Sequence, residues 1–347
     1  LRPVTDRFIY LDEGEVVELT AREVSIFGIT REVIKRRSIK LDERQDIASR
    51  GDFRHYMMKE IYDQPDAIRE TLEGRITTKH VLIPAFGNGA DEVFSRVKAV
   101  QIVACGSSFY AGMVAKYWFE QIAGIPCNVD IASELRYRKV AVLPGTLLVT
   151  ISQSGETADT LAALRTATHE NYLARFCLCN VPNSTMVRES DLTLMIKAGL
   201  EVCVASTKAF TNQLADLLML VLALGRYHHV DETTEVEIVS ALHEVPRLLT
   251  QVLGLDSQLK HMAEYFVEKH HALFLGRGIH YPIALEGALK LKEISYIHAE
   301  GYPAGELKHG PLALVDDDMP VVAVAPSDEL LEKVKSNLEE VKARGGE

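Results

Sequence analysis

The sequence lacks an excess of positive charge: its 38 lysine and arginine residues are outnumbered by 49 aspartate and glutamate residues, which gives a formal net charge of -11. Proteins that bind nucleic acids usually present a basic face, so this deficit argues against a nucleic-acid partner. An anionic small molecule would have to be bound by local dipoles and hydroxyl groups, because the overall field opposes it.

The sequence is also poor in cysteine and in long apolar runs. Five cysteines, an odd number without CxxC spacing, predict reduced core residues of a cytoplasmic protein and exclude a disulfide framework. No apolar run approaches the length of a membrane span, so no spanning segment is expected. The 12 histidines show no HExxH spacing, and residues 276–278 lack the third glycine of a dinucleotide fingerprint. We therefore predict neither a metal nor an organic cofactor.

A short polar segment between a predicted strand and a predicted helix is the most informative stretch. Residues 147–151 are apolar and β-branched, and residues 158–164 repeat alanine and leucine at helical spacing. Between them lie Ser152, Gln153, Ser154, Gly155, Glu156 and Thr157. Unpaired amides and the positive end of the dipole at a helix start favour an anion, so the segment predicts a phosphate site. The alternative is that Ser154 merely caps the helix, which accounts for only one hydroxyl.

Strands and helices alternate from about residue 97, which predicts an α/β fold with a parallel sheet covered by helices on both faces. A second polar segment, with Cys105, Gly106, Ser107 and Ser108, comes directly after the first of these strands. Ligands of such sheets bind at the carboxyl ends of the strands. We therefore expect the two polar segments to line one pocket.

The pattern then repeats. Residues 272–276 match residues 102–106, and residues 304–307 match residues 132–135. Residues 321–325 match the strand before the phosphate segment, but Pro326, Ser327 and Asp328 come after it, and an aspartate there would repel phosphate. The sequence thus predicts a duplicated domain in which only the first copy binds the anion.

The remaining segments complete the predicted domain organisation. Residues 1–27 contain short strand signals and are interpreted as the end of a β-containing domain, followed by a polar linker at 28–55. A helical lead-in at 56–96 comes next, and its residues 56–73 are predicted to form one helix. The two repeats are predicted at 97–230 and 268–347, with connecting helices at 231–267. Because the second repeat lacks counterparts of two strands, we expect the sequence to be incomplete at both ends.

The second repeat carries charges at helical spacing. Glu286, Lys290 and Glu293 are four and three residues apart and share one helix face, where they could either form a solvated ion-pair stripe or transfer protons in a cleft. His309 lies in a loop fixed by glycine and proline and is a candidate acid or base, although a structural loop histidine fits equally well.

These motifs together resemble the isomerase half of the glutamine–fructose-6-phosphate aminotransferases, or glucosamine-6-phosphate synthases, which is built from two sugar isomerase (SIS) domains. The resemblance covers residues from about 51 to the end. It rests on five segments in the same order: 105–108, 152–157, 204–208, 284–293 and 306–311.

The resemblance implies a reaction and a set of roles. Fructose 6-phosphate and ammonia from glutamine would give glucosamine 6-phosphate, the first step of hexosamine biosynthesis, without a metal or cofactor. Glu293 would move the proton between C1 and C2, Lys290 would support the developing charge, and His309 of a neighbouring subunit in a homodimer or larger assembly would help to open the ring. The implied substrate-binding residues are Cys105, Gly106, Ser107, Ser108, Ser152, Gln153, Ser154, Thr157, Val204, Ser206 and Glu286.

The resemblance also implies missing parts. Residues 1–27 are expected to be the last strands of a glutaminase domain whose catalytic cysteine is not in this sequence, and the imine-forming lysine is expected beyond Glu347. The fragment alone is therefore expected to bind sugar phosphate without glutamine-dependent turnover. Two other hypotheses compete: a simple SIS-domain isomerase or deglycase, and a sugar-phosphate sensor, which needs the phosphate segment but no charged helix face.

Overall fold

The structure of the chain, a computed structural model, describes residues 5, 7–12, 14–40, 50–167 and 172–346. The chain divides into two compact units, Leu1–Gly51 and Asp52–Glu347. The second unit contains both predicted repeats.

The first unit consists of short antiparallel strands: β1 (Arg7–Phe8), β2 (Val16–Leu19), β3 (Val24–Phe27), β4 (Val33–Ile34) and β5 (Ile39–Lys40). Strand β3 pairs with β2 and β4, and β1 pairs with β5. The predicted linker at 28–55 is wrong where β4 and β5 lie, because β-branched residues there pair with earlier strands despite the polar surroundings. Residues 41–49 of that linker lie outside the described residues.

The second unit begins with helices α1 (Tyr56–Tyr62), α2 (Gln64–Leu72) and α3 (Ala90–Phe94). The sequence pattern predicted one helix over 56–73, but the chain breaks at Asp63. Pro65 has no N–H to donate to the carbonyl of Ile61. The side-chain amide of Gln64 donates to that carbonyl instead, over 2.9 Å.

The first repeat forms a five-stranded parallel sheet in the order β10-β9-β8-β6-β7. Its strands are β6 (Ala99–Ala104), β7 (Cys127–Ile131), β8 (Thr146–Ser152), β9 (Ala174–Cys179) and β10 (Leu192–Met195). Its helices are α4 (Gly106–Trp118), α5 (Ala132–Leu135), α6 (Ala158–Thr166), α7 (Thr185–Glu189) and α8 (Lys208–Gly225). Every residue of β6 and β8 is buried, as expected for strands covered on both faces. The predicted α/β fold is confirmed.

Helix α8 corrects one expectation. Among the described helices it alone is long and apolar enough to cross a membrane, although the sequence analysis expected no such run. Within this fold 83% of the helix is buried, and core helices of globular proteins meet the same criterion. Helix α8 is therefore a buried helix of the hydrophobic core of the first repeat.

Two further helices, α9 (Glu232–Leu253) and α10 (Asp256–Ala263), lead to the second repeat. That repeat contains β11 (His271–Gly276), α11 (His280–Ser295), β12 (His298–Pro303), β13 (Val321–Ala323) and α12 (Leu331–Ala343). Its strands are parallel in the order β12-β11-β13, the same arrangement as β7-β6-β8. Strand β12 was not predicted, because its polar residues, Gly301 and Pro303 do not indicate a strand.

Candidate active site

The first side of the site is the turn between β6 and α4. Cys105 lies after the strand in an extended conformation, and Gly106 begins the helix with φ +56°. That backbone conformation favours glycine, although a Cβ atom there would meet no neighbour within 4 Å. The turn places Ser107 and Ser108 in the first turn of α4, where backbone N–H groups lack partners within the helix.

The second side is the segment predicted to bind phosphate, residues 152–157 between β8 and α6, which is called the phosphate loop below. The amide of Gly155 donates to Ser152 Oγ over 3.0 Å, and the amide of Glu156 donates to Ser154 Oγ over 3.2 Å. The hydroxyls of Ser152 and Thr157 lie 3.1 Å apart. Thr157, not Ser154, precedes the first residue of α6, so the simple capping alternative for Ser154 is wrong.

The loop geometry leaves hydroxyl protons for a ligand. A hydroxyl that accepts a hydrogen bond from a backbone amide keeps its own proton for donation. Ser154 is in this situation, and the pair Ser152 and Thr157, whose mutual hydrogen bond uses one of their two protons, keeps the other. This arrangement suits a phosphoryl group, whose oxygens are strong acceptors. Gly155 has φ +67°, a conformation that favours glycine in a tight turn. The position also has no room for a side chain, because a Cβ atom there would overlap the Ser184 hydroxyl and the Cys179 sulfur.

The two turns converge on one cavity of ≈ 300 Å³, within the range of small-molecule sites. Twelve of the predicted site residues line it: Cys105, Gly106, Ser107, Ser108, Ser152, Gln153, Ser154, Thr157, Val204, Ser206, Lys290 and Glu293. Ile151 and Leu289 also line it. These two residues were not predicted, because an apolar strand residue and an apolar helix residue give no signal beyond core packing.

The third side is helix α11 of the second repeat, which packs against α4. Lys290 Nζ lies 2.6 Å from Glu293 Oε2, 3.2 Å from Ser107 Oγ and 3.5 Å from Glu286 Oε1. The ammonium therefore lies between two carboxylates. The charged face of α11 adjoins the cavity, as the proton-transfer hypothesis requires.

Glu286 lies behind the cavity wall and does not line the cavity. Its side chain is buried and accepts a hydrogen bond from Ser107 Oγ over 2.8 Å. Burial raises the pKa of Glu286 to about 7, against the opposing effects of Lys290 and the Ser107 hydroxyl. Its second oxygen is buried and has no hydrogen-bond partner among the described residues. Glu286 is therefore linked to the cavity through Ser107 and Lys290, which both line it.

His309 is not brought to this cavity. It ends a short 3-10 helix, Ala304–His309, and its side chain is exposed. Among the residues that the structure describes, no group of three or more His, Cys, Asp or Glu is placed to hold a metal ion.

The segment that carries Val204 and Ser206 approaches the cavity from the loop before α8. Ser206 Oγ donates to Glu201 Oε2 over 3.1 Å, and Val204 is 96% exposed. Glu201 was not predicted as a site residue, since an isolated glutamate before a helix gives no specific signal.

A model of the SIS domain family matches residues 94–223 and 265–347, the two segments that contain the parallel sheets. This chain belongs to the SIS domain family. The sequence is 58% identical over 348 residues to the glutamine–fructose-6-phosphate aminotransferase (isomerizing) of Pseudomonas putida, and 58% identical over 347 residues to that of Escherichia coli K12. All of this chain aligns in both cases, but it spans only 57% of either relative's length.

A solved structure agrees with these matches. The C-terminal domain of glucosamine-fructose-6-phosphate aminotransferase from Francisella tularensis superimposes with a TM-score of 0.85 and 53% identity, covering 86% of this chain and 84% of that one. The resemblance found in the sequence motifs is therefore confirmed.

Proposed function

We propose that this chain is the isomerase half of a glutamine–fructose-6-phosphate aminotransferase, and that its cavity converts fructose 6-phosphate and ammonia to glucosamine 6-phosphate. The observation that carries the proposal is that the hydroxyls of the phosphate loop and the charged face of α11 line one cavity. The names of the similar proteins agree with it.

The phosphoryl group is assigned to the phosphate loop. Ser152, Ser154 and Thr157 offer hydroxyls, and the start of α4 adds Ser108 and the positive end of the helix dipole. Lys290 is the one basic residue among those that line the cavity, and it is already paired with Glu293. Hydroxyls and amides therefore bind the anion at this end, in keeping with the acidic net charge of the chain.

The opposite end of the cavity performs the isomerisation. Ammonia replaces the C2 carbonyl oxygen as an imine, and water is released. Glu293 then removes a proton from C1 and returns it to C2, while the hydroxyl proton of O1 passes to the nitrogen, which leaves an aldehyde at C1 and an amine on C2. Lys290, with its ammonium 2.6 Å from the Glu293 carboxylate, stabilises the negative charge that develops on the sugar oxygen. A protein that only senses sugar phosphates does not require the proton-transfer pair of Glu293 and Lys290.

We also propose that the protein is at least a homodimer and that it is located in the cytoplasm. His309 is exposed and lies outside the cavity lining, which supports a role in the site of a neighbouring subunit and hence a homodimer at least. All five cysteines are free, and Cys177 and Cys179 are buried in β9, which suits the reducing cytoplasm.

Calorimetric titration with fructose 6-phosphate tests the proposal. The unmodified chain should bind the sugar phosphate, and the Ser152→Ala variant should bind it about tenfold more weakly, since a hydrogen bond to a charged group is worth about 1.5–3 kcal/mol. Thr166→Ala, on an exposed face of α6, is the matched control and should leave binding unchanged. Equal affinities of all three proteins would contradict the proposal.

A further inference from the structure

The loop of residues 199–207 forms one wall of the cavity but has little apolar packing of its own. Leu200, Val202 and Val204 are 43%, 44% and 96% exposed, and only the small side chain of Ala205 is buried here, so apolar burial contributes little to fixing the loop. Polar contacts therefore contribute most to where it places Val204 and Ser206.

Both ends of the 199–207 loop are held by side chains of the first repeat. The side chain of Asn180, directly after β9, donates to the Gly199 carbonyl over 2.7 Å and accepts from the amide of Ala198 over 3.0 Å. At the other end, Glu201 accepts from the amides of Thr207 and Ala209 over 2.8 and 3.1 Å. These contacts leave the middle of the loop to be fixed from elsewhere.

The middle is held by Glu60, from a helix that precedes the first sheet. Glu60 Oε1 accepts from the amides of Val202 and Cys203 over 2.6 and 3.1 Å. Glu60 is only 2% exposed and is the one buried residue of α1, a position that amphipathic helices usually give to an apolar side chain. A buried carboxylate is costly without partners, and its hydrogen bonds to amides are charge-assisted.

The next turn of the chain reinforces this contact. Asp63, between α1 and α2, accepts from Lys59 over 2.5 Å and from Lys208 over 3.2 Å. Lys208 is buried and is the first residue of α8, directly after the loop. The segment from Glu60 to Asp63 thus contacts both the middle of the 199–207 loop and the residue that directly follows the loop.

We propose that Glu60 is a positioning residue for the sugar end of the cavity, and this rests on the proposed function. It holds the backbone just before Val204, so that Val204 and Ser206 face the carbon chain of a hexose phosphate. It does not contact the phosphate loop, which is fixed by its own hydrogen bonds. Loss of Glu60 should therefore weaken binding of the sugar and spare binding of the phosphoryl group.

The test compares two ligands on the full chain. In the Glu60→Ala variant, affinity for fructose 6-phosphate should fall about tenfold, as expected for loss of charge-assisted hydrogen bonds that order a binding loop. Affinity for inorganic phosphate, measured by the same titration, should stay within about twofold because Ser152, Ser154 and Thr157 keep their partners. Glu60→Gln keeps an acceptor of the same reach and should restore most of the sugar affinity.

Glu235→Ala is the matched control. Glu235 is also a buried glutamate that accepts from a backbone amide, that of Val81 over 2.9 Å, but it holds α9, and its partners among the described residues lie outside the 199–207 loop. Its loss should lower thermal stability and leave both affinities unchanged. Should Glu60→Ala fail to fold, Glu60→Asp, which keeps the charge but is too short to reach the amides, replaces it with the same expectation.

Three outcomes would overturn the inference. The first is an unchanged affinity of the Glu60 variant for fructose 6-phosphate. The second is a loss of phosphate affinity in the same proportion, which would indicate a general structural role. The third is an unmodified chain that does not bind fructose 6-phosphate, and this outcome alone would also overturn the proposed function.

Discussion

The two repeats of the second unit share one strand order but differ in the loops after their equivalent strands. After β8 the first repeat has the phosphate loop, with hydroxyls that accept from loop amides. After β13 the second has Asp328, whose carboxylate accepts from His280 over 2.6 Å and from the amide of Leu330 over 2.9 Å. These contacts lower the pKa of Asp328, so it stays ionised and would repel a phosphate.

The equivalent helices of the two repeats, α4 and α11, also differ, and here the charged residues belong to the second repeat. Helix α4 of the first repeat begins with serines at the cavity, whereas α11 of the second carries Glu286, Lys290 and Glu293 on one face. A hydrogen bond of 2.8 Å between Ser107 and Glu286 joins the two helices. Under the proposed function the two copies thus divide the work: the first binds the anion, and the second supplies the proton-transfer groups.

The greatest loss of activity should come from removing the proposed general base of the second repeat, Glu293. Glu293→Gln in the full-length protein should lower kcat for glucosamine 6-phosphate formation by about a hundred- to ten-thousandfold, the usual contribution of a general base. Affinity for fructose 6-phosphate should change little, because the phosphate loop is untouched. Glu332→Gln, an exposed position on α12, is the control. Equal turnover of Glu293→Gln and the unmodified enzyme would contradict the division of labour.

The next prediction places in the phosphate loop of the first repeat the aspartate that the equivalent loop of the second repeat contains. Ser154→Asp introduces at the phosphate loop the carboxylate that the equivalent loop has at Asp328. Repulsion between the carboxylate and the phosphoryl group, together with the lost hydroxyl, should weaken fructose 6-phosphate binding more than about 100-fold. Ser327→Ala, in the second repeat's loop, should bind normally. Calorimetry distinguishes the two, and retained binding by Ser154→Asp would place the phosphate elsewhere.

Two glycines of the first repeat separate backbone strain from steric overlap. Gly106→Ala should cost about 1–2 kcal/mol of unfolding free energy, from the positive φ alone. Gly155→Ala should cost about 1–3 kcal/mol more, because its Cβ atom also overlaps Ser184 and Cys179. Urea denaturation measures both, and equal costs would show that the phosphate loop is less constrained than its contacts indicate.

A smaller effect is a pH dependence in the second repeat. Between the ordinary pKa of a glutamate and about 7, folded Glu286 binds more protons than it does in the unfolded chain, so it lowers stability as pH rises. Glu286→Gln lacks this titration. The stability of the unmodified protein relative to the variant should therefore fall as pH is raised through this window and level off above 7. A difference in melting temperature that is independent of pH would contradict the burial of this carboxylate.

Local patterns predicted most of the second unit. An apolar run identified β8, the alternation of strands and helices identified the parallel sheet, and the repeated motifs identified the duplication, because these signals lie within short stretches of the chain. Strand β12 was missed because Gly301 and Pro303 obscure its pattern, and the break at Asp63 was missed although Pro65 was visible in the sequence.

The site was predicted where its residues form motifs and was incomplete where they act over long distances in sequence. The hydroxyl residues Ser152, Ser154 and Thr157 are close together in the chain, so the sequence alone indicates an anion-binding segment. Glu60 contacts Val202 and Cys203 from more than a hundred residues away and belongs to no motif. Such a contact depends on the packing of α1 against the first repeat, which a single sequence does not specify.

A crystal structure with fructose 6-phosphate bound is the decisive measurement for the division of labour between the repeats. We expect the phosphoryl oxygens within about 3 Å of the hydroxyls of Ser152, Ser154 and Thr157, with C1 and C2 of the sugar facing the carboxylate of Glu293. A sugar phosphate bound in any other place, or bound here with its phosphoryl group at α11, would contradict it.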